Sequence, residues 1–144
     1  MKTFTLEEAQ TLVPVLESLL KNAMESKRSA EAVALELQQL SQRIFMNGGT
    51  LVRIAHVAQR RATHDKAVQQ VKDTLAELDA IGVQVKDLDA GLLDFPCRLG
   101  DDVVLLCWKM GEPEIQHWHS MDSGFAGRQP VDERFRRPHK QKPN

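Results

Sequence analysis

Apolar positions along this chain follow two different rhythms. From Leu16 they recur in alternating steps of three and four, through Leu19, Ala23, Ser26, Ala30, Val33, Leu37, Leu40 and Ile44. That period draws a narrow stripe along a helix, so its partner should be a second long helix. A matching stripe runs through Ile54, Val57, Arg61, His64, Val68, Val71, Leu75 and Leu78. Between them, Asn47-Gly48-Gly49 offers residues that tolerate positive φ and predicts a tight return. The two stripes therefore predict an antiparallel, coiled-coil-like hairpin. Its longer arm would extend roughly 45 Å from Leu16 to Ile44. Folding back at Gly48 brings Arg61 level with Glu36, where an ion pair is expected.

The helical region opens on Phe4-Thr5-Leu6-Glu7-Glu8-Ala9. Thr5 and Glu8 are spaced to bond each other's amides, and two acids suit the positive end of a helix dipole. Pro14 lacks an amide hydrogen, so the expectation is a short lead-in helix, a bend near Val13, and then the long helix.

After Ile81-Gly82 the rhythm shortens to two. Val83-Gln84-Val85, Leu92–Cys97, Val103–Met110 and Glu114–His119 alternate or run apolar, with turn residues between them. Pro96 cannot donate to a ladder and should lie on an edge strand. The fold class expected is α+β: a long helical hairpin over 1–81 and a small antiparallel sheet of two to three strands within 82–130. Residues 131–144 lack an apolar period after Phe135 and should form a flexible tail.

Composition narrows the function classes. Among 144 residues the net charge is −1, with 42% hydrophobic and 27% charged positions. This balance predicts no general attraction to nucleic acid, and the helices show no one-sided basic stripe. No apolar run approaches the ~20 residues of a membrane span, and no cationic start precedes an apolar block. A cytoplasmic protein without membrane attachment is expected. Tyrosine is absent and aromatics are 5% of the chain, yet Phe95, Trp108, Trp118 and Phe125 all fall between Leu92 and Pro130. Large rings bury the most apolar area per residue, so the core should centre there. The helical stripes are thin by comparison, interrupted by Ser26, Arg61 and His64. Leu12, Val15, Leu20, Met24, Leu35 and Val52 add apolar surface beside them. Self-association, with a dimer favoured, would cover that surface and suit an interaction or scaffold module.

Candidate chemistry also gathers in the last third. Period two places His117 and His119 on one strand face, roughly 6.5–7 Å apart. Two such imidazoles, completed by Glu112 or Asp94, would suit zinc or a similar divalent transition metal. Arg128 is a candidate anion-binding residue. A second reading makes these groups structural, with His119 and Glu112 satisfying buried polar atoms and Arg128 pairing with an acid of the sheet. A third is a small metal-dependent enzyme, with Glu112 as base, His119 as its partner and Arg128 clamping an anion. Cys107 as nucleophile with His119 is a variant of it. Cys97 and Cys107 are too few for a disulfide framework, and the apolar strand around Cys107 predicts a buried, inert thiol.

Taken together, Phe4–Ala9 with Pro14, Gly82–Asp87, Gly91–Pro96, Leu105–Trp108, Gly111-Glu112, Ile115, Trp118-His119 and Gly124–Arg128 resemble a bacterial family. That family is domain of unknown function 2203. The resemblance extends nearly to Pro130 and implies no established activity or substrate. It also implies an aromatic residue where this chain has His117.

Overall fold

The computed structural model of the protein describes residues 2–46 and 54–136. Helix α1 covers Leu6–Met46 and helix α2 covers Ile54–Ile81. The start of α1 is capped as its sequence requires. The Thr5 amide donates to Glu8 Oε1 at 2.8 Å, and the Glu8 amide donates to Thr5 Oγ1 at 3.1 Å. The separate lead-in helix expected before Pro14 is absent, because α1 is one continuous helix of 41 residues with Pro14 inside it. Pro14 stands on the exposed side, while Val13, Leu16 and Leu20 are buried on the other. One lost backbone bond beside water costs less than unpacking those side chains.

The chain divides into two compact units, one of which is Asn22–Leu75. Within it, Ala23, Ser26, Ala30 and Val33 are buried along α1, as the stepping of three and four requires. Along α2 the buried positions are Ala67 and Thr74, with Leu78 buried further on in the other unit, so of the expected α2 stripe only Leu78 is fully buried. Ser26 Oγ donates to Gln70 Oε1 at 3.2 Å, so the polar break in the α1 stripe is satisfied. The partner of Glu36 is Arg60, at 2.8 Å through Nη2, and not Arg61, which is exposed. One residue turns a helix by about 100°, so a slip of one position swaps the inward side chain. The return expected at Asn47-Gly48-Gly49 lies outside the described residues.

The other unit takes residues 2–21 and 76–136. It holds a five-stranded sheet in chain order, each neighbour antiparallel. The strands are β1 Gln84–Asp87, β2 Leu92–Leu99, β3 Asp102–Lys109, β4 His117–Ser120 and β5 Gln129–Pro130. This replaces the two to three strands expected. The additions are short edges, and a two-residue strand such as β5 carries no readable alternation. The strand expected over Glu114–His119 begins only at His117. Before it, the Ile115 amide donates to Gln10 Oε1 at 2.7 Å, and the Gln116 carbonyl accepts from Val131 at 2.9 Å.

Pro96 lies on β2, the second strand, and not on a sheet edge. However, β1 pairs with β2 only as far as Asp94. Beyond that point the side of β2 away from β3 is open, and the Pro96 carbonyl accepts from the Phe4 amide at 2.7 Å. The amide that proline lacks would point the same way, so no ladder bond is lost.

Leu93, Phe95, Cys97, Val104, Leu106, Trp108 and Trp118 share one face through the strand register. The Phe4 ring meets Phe95 edge-on, with centroids 5.8 Å apart, and Phe135 packs on Trp118 at 5.6 Å. Phe95 and Trp108 are fully buried. Removing such rings from water contributes roughly 4–6 kcal/mol each at most. The opposite face carries Asp94, Pro96, Leu105, Cys107, His117 and His119. Residues 131–136, expected to begin a flexible tail, continue the fold. Helix α3, Glu133–Arg136, buries Phe135. Among the described residues no helix is long and apolar enough to cross a membrane.

Candidate metal centre

Antiparallel register aligns Asp94 on β2 with Cys107 on β3, and Cys107 with His117 on β4. His119 stands two residues further along β4 on the same face. Its ring is fixed at both nitrogens: Nδ1 lies 2.8 Å from the Ser120 carbonyl oxygen, and Nε2 lies 3.0 Å from Asp94 Oδ2. A carbonyl can only accept, so Nδ1 carries a proton. A single further proton then joins Nε2 to Asp94, either on the ring or on the carboxyl. Asp94 and His119 are only 1% and 2% exposed, and Cys107 is fully buried. Asp94 Oδ1 is also buried and makes no hydrogen bond among the described residues. One ligand atom from each of Asp94, Cys107 and His119 falls within 4.8 Å of the others.

These contacts limit what the thiol can do alone. Burial pushes the Cys107 thiol up to about 12; the negative charge of Asp94 adds to this, and the Arg128 guanidinium opposes it. His119 has no spare lone pair to accept the thiol proton, since Nδ1 donates to Ser120 and Nε2 is bonded to Asp94. The geometry of an activated cysteine nucleophile is therefore missing. A divalent cation changes the balance, because it displaces these protons and neutralises both the thiolate and the carboxylate.

The candidate ligands read from the sequence divide between two clusters. Asp94 and His119 stand together, with Cys107 as the third member. Glu112, His117 and Arg128 gather at the other end of the strand row. Arg128 Nη2 donates to Glu112 Oε1 at 2.8 Å and Oε2 at 2.9 Å, and contacts the Cys107 carbonyl at 3.4 Å. Glu112 Oε1 also accepts from the Lys109 amide at 2.7 Å. The guanidinium lies 4.6 Å from the centre of the Phe125 ring. The carboxylate facing Arg128 is thus one of the chain's own, and Glu112 is held outside the buried ligand set. His117 Nδ1 lies 3.6 Å from Glu112 Oε2, too far for a hydrogen bond. Cys97 sits on the opposite sheet face, its thiol raised to about 11 by burial and by the charge of Glu8.

The sequence model of a family described as uncharacterized conserved proteins, domain of unknown function 2203, matches residues 2–131. The chain belongs to this family. No curated protein and no solved structure matches it. In this member of the 2203 family, the buried Asp94–Cys107–His119 group has the donors to hold a metal ion.

Proposed function

We propose that the protein binds a divalent transition metal of the zinc type through Asp94, Cys107 and His119. One observation carries this reading: the Ser120 carbonyl accepts a hydrogen bond from His119 Nδ1 and leaves Nε2 aimed at a buried carboxylate whose other oxygen makes no hydrogen bond among the described residues. Metal-bound histidines are oriented by an outer acceptor in this manner. A sulfur, nitrogen and oxygen set favours zinc over calcium or magnesium, which prefer oxygen alone. Bonds of about 2.0–2.3 Å place tetrahedral ligand atoms roughly 3.3–3.7 Å apart. His119 Nε2 and Asp94 Oδ2 are already 3.0 Å apart, and all three ligand atoms lie within 4.8 Å of one another, so side-chain shifts of no more than roughly 1.5 Å would bring them to that spacing. A reducing cytoplasm, where thiols persist, suits this chemistry.

Elemental analysis and zinc titration of untagged protein test the proposal. One equivalent of zinc is expected, with affinity reduced at least about tenfold in Cys107→Ser and His119→Ala. No uptake by the parent protein would refute it, as would unchanged affinity in both folded variants.

Self-association is a second reading, favoured by the hairpin unit. Leu35 is 55% exposed, Phe45 86%, Met46 82% and Ile54 72%. The last three stand at the end of α1 and the start of α2, where a second copy of the hairpin would bury them. A dimer built there would present the sheet units as an interaction module. Light scattering should show the dimer, and replacing Phe45 and Met46 by serine should yield monomer. A parent chain that stays monomeric at high micromolar concentration would end this reading.

A further inference from the structure

We infer that His117 is the fourth ligand of the centre, making it a closed Asp–Cys–His–His site with no open position. The inference rests on the metal-binding reading above. His117 is directly opposite Cys107 in the β3–β4 register and two residues from His119 on the same face. Directly opposed strand residues have Cβ atoms about 4.5–5.5 Å apart, within the reach of side chains sharing one ion. The ring is not anchored where it lies. Its Nδ1 is buried yet makes no hydrogen bond among the described residues, and the 3.6 Å approach to Glu112 is too long for one. The side chain is 32% exposed, so one edge of the ring has room to turn between staggered rotamers.

Charge selects His117 over Glu112 for this place. A dipositive ion bound by one thiolate and one carboxylate is neutral, whereas a second carboxylate would leave a buried net charge. A neutral imidazole completes the shell without adding one. Glu112 is already neutralised by Arg128 and held by the Lys109 amide, so it can stay in place as His117 turns away. The finished site ties β2, β3 and β4 together through side chains. Four protein ligands are the mark of a structural centre, while a catalytic one keeps a place for water or substrate.

Cobalt(II) added to the metal-free protein tests this. The parent protein should show a thiolate-to-cobalt band together with the intense visible bands of four-coordinate cobalt. His117→Ala should keep the thiolate band, lose visible intensity as water enters, and bind zinc about tenfold or more weakly. His117→Cys should restore the visible bands and add a second thiolate contribution. Identical spectra and zinc affinity for His117→Ala and the parent would overturn the inference while leaving the three-ligand reading intact. No thiolate band in the parent protein would overturn both. Were His117→Ala to unfold, His117→Cys decides alone: a second thiolate contribution supports the inference, and its absence overturns it.

Discussion

Leucine in place of His119, with Asp94 retained, should be among the most damaging single substitutions in the sheet unit. Asp94 is 1% exposed and has one hydrogen-bonded oxygen, whose partner is His119 Nε2 at 3.0 Å. Removing that partner leaves a buried carboxyl group whose neighbouring donor is the weakly donating Cys107 thiol. Breaking a buried ionic pair from one side costs about 3–5 kcal/mol. With a urea m-value near 2 kcal/mol/M, the midpoint should fall by roughly 1.5–2.5 M. Asp94→Leu alone leaves an imidazole that can stay neutral, at a cost of about 1–3 kcal/mol. The double substitution removes both polar groups, so it should cost much less than the two single effects combined, by about 2 kcal/mol or more. Loss of the Ser120 carbonyl's donor occurs in the single and double variants alike and cancels in the cycle. Urea titrations in chelator would be followed by tryptophan fluorescence, since Trp108 and Trp118 both lie in the sheet. Additivity within about 0.5 kcal/mol would refute a coupled buried pair.

Gly127→Ala should destabilise by about 1–3 kcal/mol, because its Cβ would meet the Ser123 side chain at 2.5 Å. Adding Ser123→Gly should restore most of the loss in thermal melts, and no rescue would count against that clash. Gln10→Ala should cost about 1–3 kcal/mol by leaving the amide of buried Ile115 without its acceptor, as judged by urea midpoints. An unaltered midpoint would show that water replaces Gln10. Cys97 has a folded value of about 11 against an ordinary 9.0. Its raised value favours the protonated fold, so this contribution is full below about pH 9 and declines as pH rises toward 11. The slope is about 1.4 kcal/mol per unit, and Cys97→Ala should abolish it in urea midpoints taken across that range. Alkylation of Cys97 in the native protein near pH 8 should be at least about 100-fold slower than in urea, as read by mass spectrometry. Comparable rates would refute its burial.

Spacing along one covalent chain accounts for the features that could be read without coordinates. The Thr5–Glu8 cap, the α1 stripe at Ala23, Ser26, Ala30 and Val33, and the paired β2 and β3 runs are of this kind. Even the meeting of Asp94 with Cys107 was legible in principle. Both are equally distant from the tight turn at Gly100-Asp101, so the turn sets them opposite each other. Tertiary structure decided the rest. Packing on the far side kept α1 helical through Pro14, and a rotation of about 100° chose Arg60 over Arg61. Strand β5 exists only because β4 offers it an edge. The division of Asp94 and His119 from Glu112 and Arg128 has the same origin. Side chains on neighbouring strands meet along diagonals that no linear spacing encodes, and each burial depends on what the rest of the chain lays over it.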